Sequence, residues 1–460
     1  MGVVKRAGAA LVAALMLLAP ALWNGFPLLQ YDTGGYIARW FEGTLEVSRS
    51  TVYGVFLDLT ARPNFWPAVL VQVALTVWVI ALVLRAHGFG ARPRILLATV
   101  LALCVLTALP WVADLLLTDI FAGLSVLALY LLVMRAEALA PWERAALFVL
   151  VAIAAASHSA TLLVLLALIA AAVLVALVGY TRMRRLQPPL GASLRGLMAL
   201  ALGAVMLVTA NYAVSGRIAW TPGGEAIVFG RMLEAGIVTR YLDDHCPDPR
   251  LKLCDHRREL PATADEFFWG ESVFNRLGRF QGLNDEMRTI VVEALIQYPW
   301  LQLKAAVAAT AEQLVLVATG YGVHTEIWHT YAMIERFEPA TAPAMHAARQ
   351  QKGELNFAVL NRVHVPIAWA SMLLLLAAIG LGIWRERFAD LGWLGSAVAL
   401  AILANAVACG ALSNPHDRYG ARVAWLATLV LLLVGWRAAR AGDTASKGES
   451  AKIQRLTRSS

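Results

Sequence analysis

The chain is short of charge. Only 15% of its 460 residues are Asp, Glu, Lys or Arg, where a soluble domain carries about a quarter. With 59% hydrophobic residues and a mean hydropathy of +0.63, that shortage excludes an ordinary water-soluble globular protein. Internal repeats are also lacking, which counts against a transporter built from repeated halves. Cysteine is sparse at four residues. Cys246 and Cys254 stand eight positions apart, wider than the two to four residues usual between zinc-binding cysteines.

What is present is a series of long apolar runs, the pattern of an all-α integral membrane protein. A span needs about 20 apolar residues, and the runs give about ten spans. They lie near 7–23, 66–84, 95–112, 118–134, 145–157, 160–179, 196–214, 365–384, 392–412 and 420–436. The pair around Ser157-His158-Ser159 reads as two spans, a re-entrant pair or one broken helix. Ala19-Pro20-Ala21 loosely resembles a signal-processing site, but its apolar run exceeds a usual signal core and is read as a retained first span.

Lysine and arginine set the orientation. Arg85, Arg92 and Arg94 follow the second span, and Arg135 and Arg144 the fourth. Arg182, Arg184, Arg185 and Arg195 follow the sixth, Arg385 and Arg387 the eighth. Arg437, Arg440, Lys447, Lys452, Arg455 and Arg458 lie in the tail. All fall on one side if both termini are cytoplasmic, as the positive-inside rule requires. The net charge of +8 is then explained by topology and anionic lipid, with no nucleic-acid partner needed.

The same rule sorts Leu301 to Gly320, whose Lys304, Glu312 and Gln313 suit an amphipathic helix on the outer membrane face better than a span. Four parts result: an N-terminal membrane module 1–214, an extracytoplasmic loop domain 215–364 and a C-terminal membrane module 365–440, followed by a disordered tail 441–460. Cys104 and Cys409 fall in apolar runs and read as small apolar residues. Cys246 and Cys254 fall outside the cytoplasm, where a nearby pair oxidises to a disulfide. A metal site from His245, Cys246, Cys254 and His256 is the rival reading.

Chemistry-bearing residues gather on the outer side. Tyr31-Asp32-Thr33-Gly34-Gly35-Tyr36 follows the first run directly, and an ionisable group at a membrane face is a functional-site candidate by default. The first loop also offers Arg39, Glu42, Glu46, Arg49, Tyr53 and Asp58. Later loops offer Asp114, Asp119, His158, Asn414, His416, Asp417, Arg418 and Tyr419, with Arg422 one turn on. Arg418 and Arg422 break the positive-inside rule, and arginine so placed calls for an anionic partner such as a phosphate. Each has a plainer reading. Asp32 caps a helix beginning at Thr33, Asp119 caps the fourth span, and Asp114 is a solvated loop charge. His158 is a hydrogen-bonded turn residue, and the arginines pair with lipid or Asp417.

An aspartate just after the first span in this Tyr-Asp-Thr-Gly-Gly-Tyr setting resembles the GT-C superfamily of integral-membrane glycosyltransferases, which includes protein O-mannosyltransferases and the aminoarabinose transferases of lipid A. Asp119 in Leu117-Thr118-Asp119-Ile120-Phe121 matches the family's second acidic position, and His416-Asp417-Arg418-Tyr419 its basic-Tyr pattern opening a late span. The first loop departs from many relatives in lacking a paired acidic motif.

The resemblance implies a polyprenyl-phosphate-sugar donor and an inverting transfer in a bacterial cytoplasmic membrane. Asp32 would be the base, and Asp119 would orient the acceptor or help hold a divalent cation. Arg418, Arg422 and His416, with Lys304 in reserve, would bind the donor phosphate. Tyr31, Tyr36, Arg39 and His158 would orient the acceptor. No cytoplasmic loop is large enough for a nucleotide-sugar donor. The alternative class is a transporter or flippase of a lipid-linked or small anionic substrate.

Overall fold

A computed structural model describes every residue except 1, 44, 46–48, 91, 179–188, 221–223 and 457–460. Glu46, Arg182, Arg184, Arg185 and Arg458 of the sequence reading therefore lie outside the described residues. The chain is 79% helical, with no strand among the described residues. Among the described residues six helices are long and apolar enough to cross a membrane: Trp66–Ala86, Ser159–Val178, Leu190–Ser215, Phe357–Trp384, Glu386–Ala411 and Asp417–Arg440.

The remaining apolar runs are also helical, but shorter or broken. The first is split into Gly2–Leu17 and Ala19–Asn24. Pro20 has no N–H to continue the ladder, and the Ala21 N–H beside it donates to Asp114 Oδ2 at 2.8 Å instead. Asp114 is fully buried, so it is a cap for the broken helix and not a solvated loop charge. The third run is split into Pro93–Leu106 and Leu109–Ala113, with Thr107 extended between them. The fourth is Asp119–Met134. Pro141–Ser157 and Ser159–Val178 are two helices, parted by an extended His158.

Boundaries differ from the sequence reading at three places. The helix Phe357–Trp384 starts before residue 365, with Asn356 accepting from the Ala358 N–H as its cap. The helix in 301–320 is Pro299–Val315, and Lys304 is exposed on it. The last helix continues to Leu456, past residue 440 where the sequence reading begins a disordered tail.

The long inter-span segment packs as two parts. Residues 226–294 have a core of their own around Phe229, Tyr241, Phe267, Phe274 and Met287. There Cys246 and Cys254 are disulfide-bonded at 2.05 Å. Further on, Val323, Ile327, Ile334 and Met345 join the main core with the membrane helices. The helix Trp328–Phe337 lies against Tyr31–Phe41. That contact needs Gly34, because a Cβ there would come within 2.7 Å of the Thr330 backbone.

Candidate functional site

The site begins with the turn before Tyr31. Gln30 caps the helix Tyr31–Phe41: its side chain accepts from the Asp32 N–H at 2.6 Å, and Thr33 Oγ1 accepts from the Gln30 N–H at 3.1 Å. This is a capping box in form. Asp32 is thus inside the helix and is not its cap, which leaves its carboxylate free for other partners. The loop is anchored twice to the segment before Asp119. Leu28 exchanges backbone hydrogen bonds with Asp114 and Leu116 at 3.0 Å each, and Thr33 Oγ1 donates to Leu116 O at 3.1 Å.

Two arginines hold Asp32. Arg49 pairs with Oδ1, and Arg418 Nη1 donates to Oδ2 at 2.8 Å. Gly35 makes room for the first of them, since a Cβ there would sit 3.1 Å from Arg49 Nε. Burial alone would raise the pKa of Asp32. Arg49 and then Arg418 outweigh it and hold the pKa at about 2.

Asp119 opens the helix Asp119–Met134 and is 2% exposed. Its Oδ1 accepts from Arg422 Nη1 at 3.2 Å. Its Oδ2 lies 3.5 Å from Arg418 Nε, and both of those atoms lack a hydrogen-bond partner. Arg418 therefore stands between the two carboxylates. Three guanidiniums (Arg49, Arg418, Arg422) face two carboxylates (Asp32, Asp119), leaving one positive charge over among the five.

The arginines are aimed by their own neighbours. Arg422 is fully buried and donates to Asn405 Oδ1 through Nε at 3.0 Å and Nη2 at 2.7 Å. Nη2 also reaches Cys409 Sγ at 3.2 Å, so Cys409 is a polar partner and more than a small apolar residue. Cys409 sits in a π-helical turn, Val407–Ala411, an irregularity that often marks functional positions. The Tyr419 ring lies 4.8 Å from the Arg418 guanidinium and 5.1 Å from that of Arg422.

The remaining sequence candidates divide into neighbours and outliers. Tyr36 lies under Arg49 at 5.9 Å and meets Thr118 Oγ1 at 3.4 Å. The His158 ring is 6.5 Å from that of Tyr419, and its Nδ1 is buried without a partner, unlike the hydrogen-bonded turn residue of the plainer reading. His416 stacks on Tyr321 at 4.8 Å and approaches Asp265 at 3.9 Å. Burial lowers its proton affinity, which Asp265 partly restores. Tyr31 packs on Trp328 and His329. Arg39 is fully buried and donates to Thr51 and Asn211, and Lys304 stays exposed on its helix; neither is among the groups that contact Asp32 or Asp119.

Beside the cluster is a small cavity of about 20 Å³, partly open to solvent. Asp119 and Arg418 line it together with Trp111, Thr319, Tyr321 and Phe357. Asp32 does not line it, but bonds to Arg418, which does. A guanidinium on a cavity wall is suited to a phosphate or carboxylate. It does not suit the divalent cation raised for Asp119, because both carboxylates are matched by guanidiniums. Among the described residues no group of three or more His, Cys, Asp and Glu is placed to hold a metal.

Sequence reasoning named Arg49 only as one loop residue among several, and it missed Asn405, Tyr321 and Asp265. Asn405 carried a usable signal, a lone amide in an otherwise apolar run. Tyr321 and Asp265 carried none, because their place depends on how the inter-span segment folds back. The chain matches no family model, no curated protein and no solved structure, so its function is argued from this chemistry.

Proposed function

We propose that the chain is an inverting glycosyltransferase of the GT-C kind, moving a sugar from a polyprenyl-phosphate donor to a hydroxyl acceptor at the outer membrane face. The observation that carries this reading is Arg418, which lies between two acidic residues and beside a cavity. An anionic leaving group and a base are then within reach of one side chain.

In the proposed step, the acceptor oxygen attacks the anomeric carbon from the face opposite the phosphate. The new C–O bond forms as the bond from that carbon to the phosphate oxygen breaks, which inverts the centre. Asp32 takes the acceptor's proton. The lipid phosphate leaves with the electron pair, and Arg418 and Arg422 stabilise its added charge. Asp119 keeps Arg422 aimed, and His158 is the group assigned to the acceptor.

The proposal places about ten spans in a bacterial cytoplasmic membrane, with both termini cytoplasmic. Its support is the separation of two charged clusters. Arg135 and Arg437 meet at Asp390, at the far ends of the helices that begin near Asp119 and Arg418. Nineteen residues from Arg418 to Arg437 span about 28 Å at 1.5 Å per residue, close to the ~30 Å hydrocarbon core.

The test is to reconstitute the protein with a polyprenyl-phosphate sugar and a set of hydroxyl acceptors, and to measure free polyprenyl phosphate. Release with inversion at the anomeric carbon is expected. Movement of intact donor across the bilayer without release would identify a flippase and overturn the reading.

A further inference from the structure

Both oxygens of the Asp32 carboxylate are occupied in this structure, one by Arg49 and the other by Arg418. A carboxylate so neutralised is a weak base toward a hydroxyl. The groups facing it are not all equally well matched. Arg418 Nε and Asp119 Oδ2 are buried, stand 3.5 Å apart and are not hydrogen-bonded, so Arg418 is held less closely by Asp119 than by Asp32. Arg49 is a different kind of partner: it comes from the first loop, crosses Gly35, and its side chain is 19% exposed.

We propose that Arg49 and Arg418 form a clasp on Asp32 that an anion opens. A phosphate entering the cavity meets Arg418, whose planar fork can make two parallel bonds to one phosphate. Turning toward it draws Nη1 away from Asp32 Oδ2 and frees that oxygen to accept a proton. Tyr419 supports the turn, because its ring lies 4.8 Å from the guanidinium and its hydroxyl accepts from Nη2 at 3.3 Å. Arg49 remains on Oδ1 and fixes which oxygen is released. Arg49 is therefore a positioning residue, a role that loop membership alone did not reveal.

The clasp gives the site an order. The donor's phosphate binds first, and only then does Asp32 become basic enough to activate a hydroxyl. Without donor, Asp32 stays paired and does not deprotonate water. This inference rests on the anionic-donor reading above, and it concerns how that same site is regulated.

The experiment is infrared difference spectroscopy on the full-length protein in lipid vesicles, perfused with inorganic phosphate, with bound radiolabelled phosphate counted on the same preparations. The expected result is saturable phosphate binding, lost in Arg418→Gln and weakened in Arg418→Lys. It should come with a shifted carboxylate-stretch band that is absent in Asp32→Asn. Arg49→Gln should shift that same band before phosphate is added, and Arg49→Lys should shift it less. Phosphate binding with no change in the Asp32 band would overturn the clasp and leave the anion site standing. No saturable binding to the wild-type protein would overturn the anionic-donor reading and the clasp with it.

Discussion

Two clusters of arginine and aspartate stand at opposite ends of the same helices, and they are built differently. At one end, Asp390 binds Arg437, Arg135 and His87. The arginines there also donate to backbone carbonyls: Arg437 to His87 O and Arg387 O, and Arg135 to Ala86 O. Ala86 and His87 close the helix Trp66–Ala86, whose last carbonyls have no partners of their own. That cluster is a staple, with cations on a helix C-terminus. At the other end, the guanidiniums of Arg418 and Arg422 bond, among the described residues, only to side chains: Asp32, Asp119, Tyr419, Asn405 and Cys409. Side-chain partners can be exchanged for a ligand without unravelling a helix. Similar residues thus form a fixed joint in one place and an exchangeable cluster, the proposed site, in the other.

Neutralising one aspartate in each cluster should separate the two roles most strongly. Asp32→Asn should lower transfer by about 10²–10⁴-fold, the usual worth of a positioned general base, while the folded yield is kept. Turnover of the purified variant, with its melting temperature alongside, checks this; an active Asp32→Asn protein would remove the base assignment. Asp390→Asn should do the reverse. It leaves buried donors unmatched, at a cost of roughly 1–3 kcal/mol, and should lower the melting temperature with turnover per folded molecule unchanged. If Asp390→Asn abolishes transfer in a protein that melts normally, the staple reading fails.

A finer difference is expected in the pH dependence. In the free protein Asp32 is held at about 2, below its ordinary value, so it stays ionised until the medium is strongly acid. Binding an anion removes Arg418 from it, which raises its proton affinity. The acidic limb of kcat/KM reports the free enzyme and that of kcat the complex, so the kcat limb should lie at higher pH. Coincident limbs would mean that Arg418 never leaves Asp32.

Much of the helical framework was legible in the sequence, because apolar runs report burial in a bilayer whatever their tertiary partners. Asp32, Asp119, Arg418 and Arg422 were legible too, as charges that composition and the positive-inside rule leave unexplained. What was hidden depends on distant contacts. Asp114 is buried because a proline in another helix leaves Ala21 N–H in need of an acceptor, a pairing 93 positions apart. Gly34 and Gly35 sit in a helix, one admitting Thr330 and the other Arg49, contacts that their neighbours in sequence do not announce. Arg49 could not be ranked above its neighbours until that packing was visible.

On the proposed reading, the cluster around Arg418 binds an anionic lipid headgroup and the one around Asp390 does not. Equilibrium binding of a short-chain prenyl phosphate to the reconstituted protein tests it most directly, comparing Arg418→Gln with Arg437→Gln. The account predicts that Arg418→Gln loses saturable binding and that Arg437→Gln keeps it in whatever fraction remains folded. Retained binding in a folded Arg418→Gln protein, or its loss in a folded Arg437→Gln protein, would contradict the account.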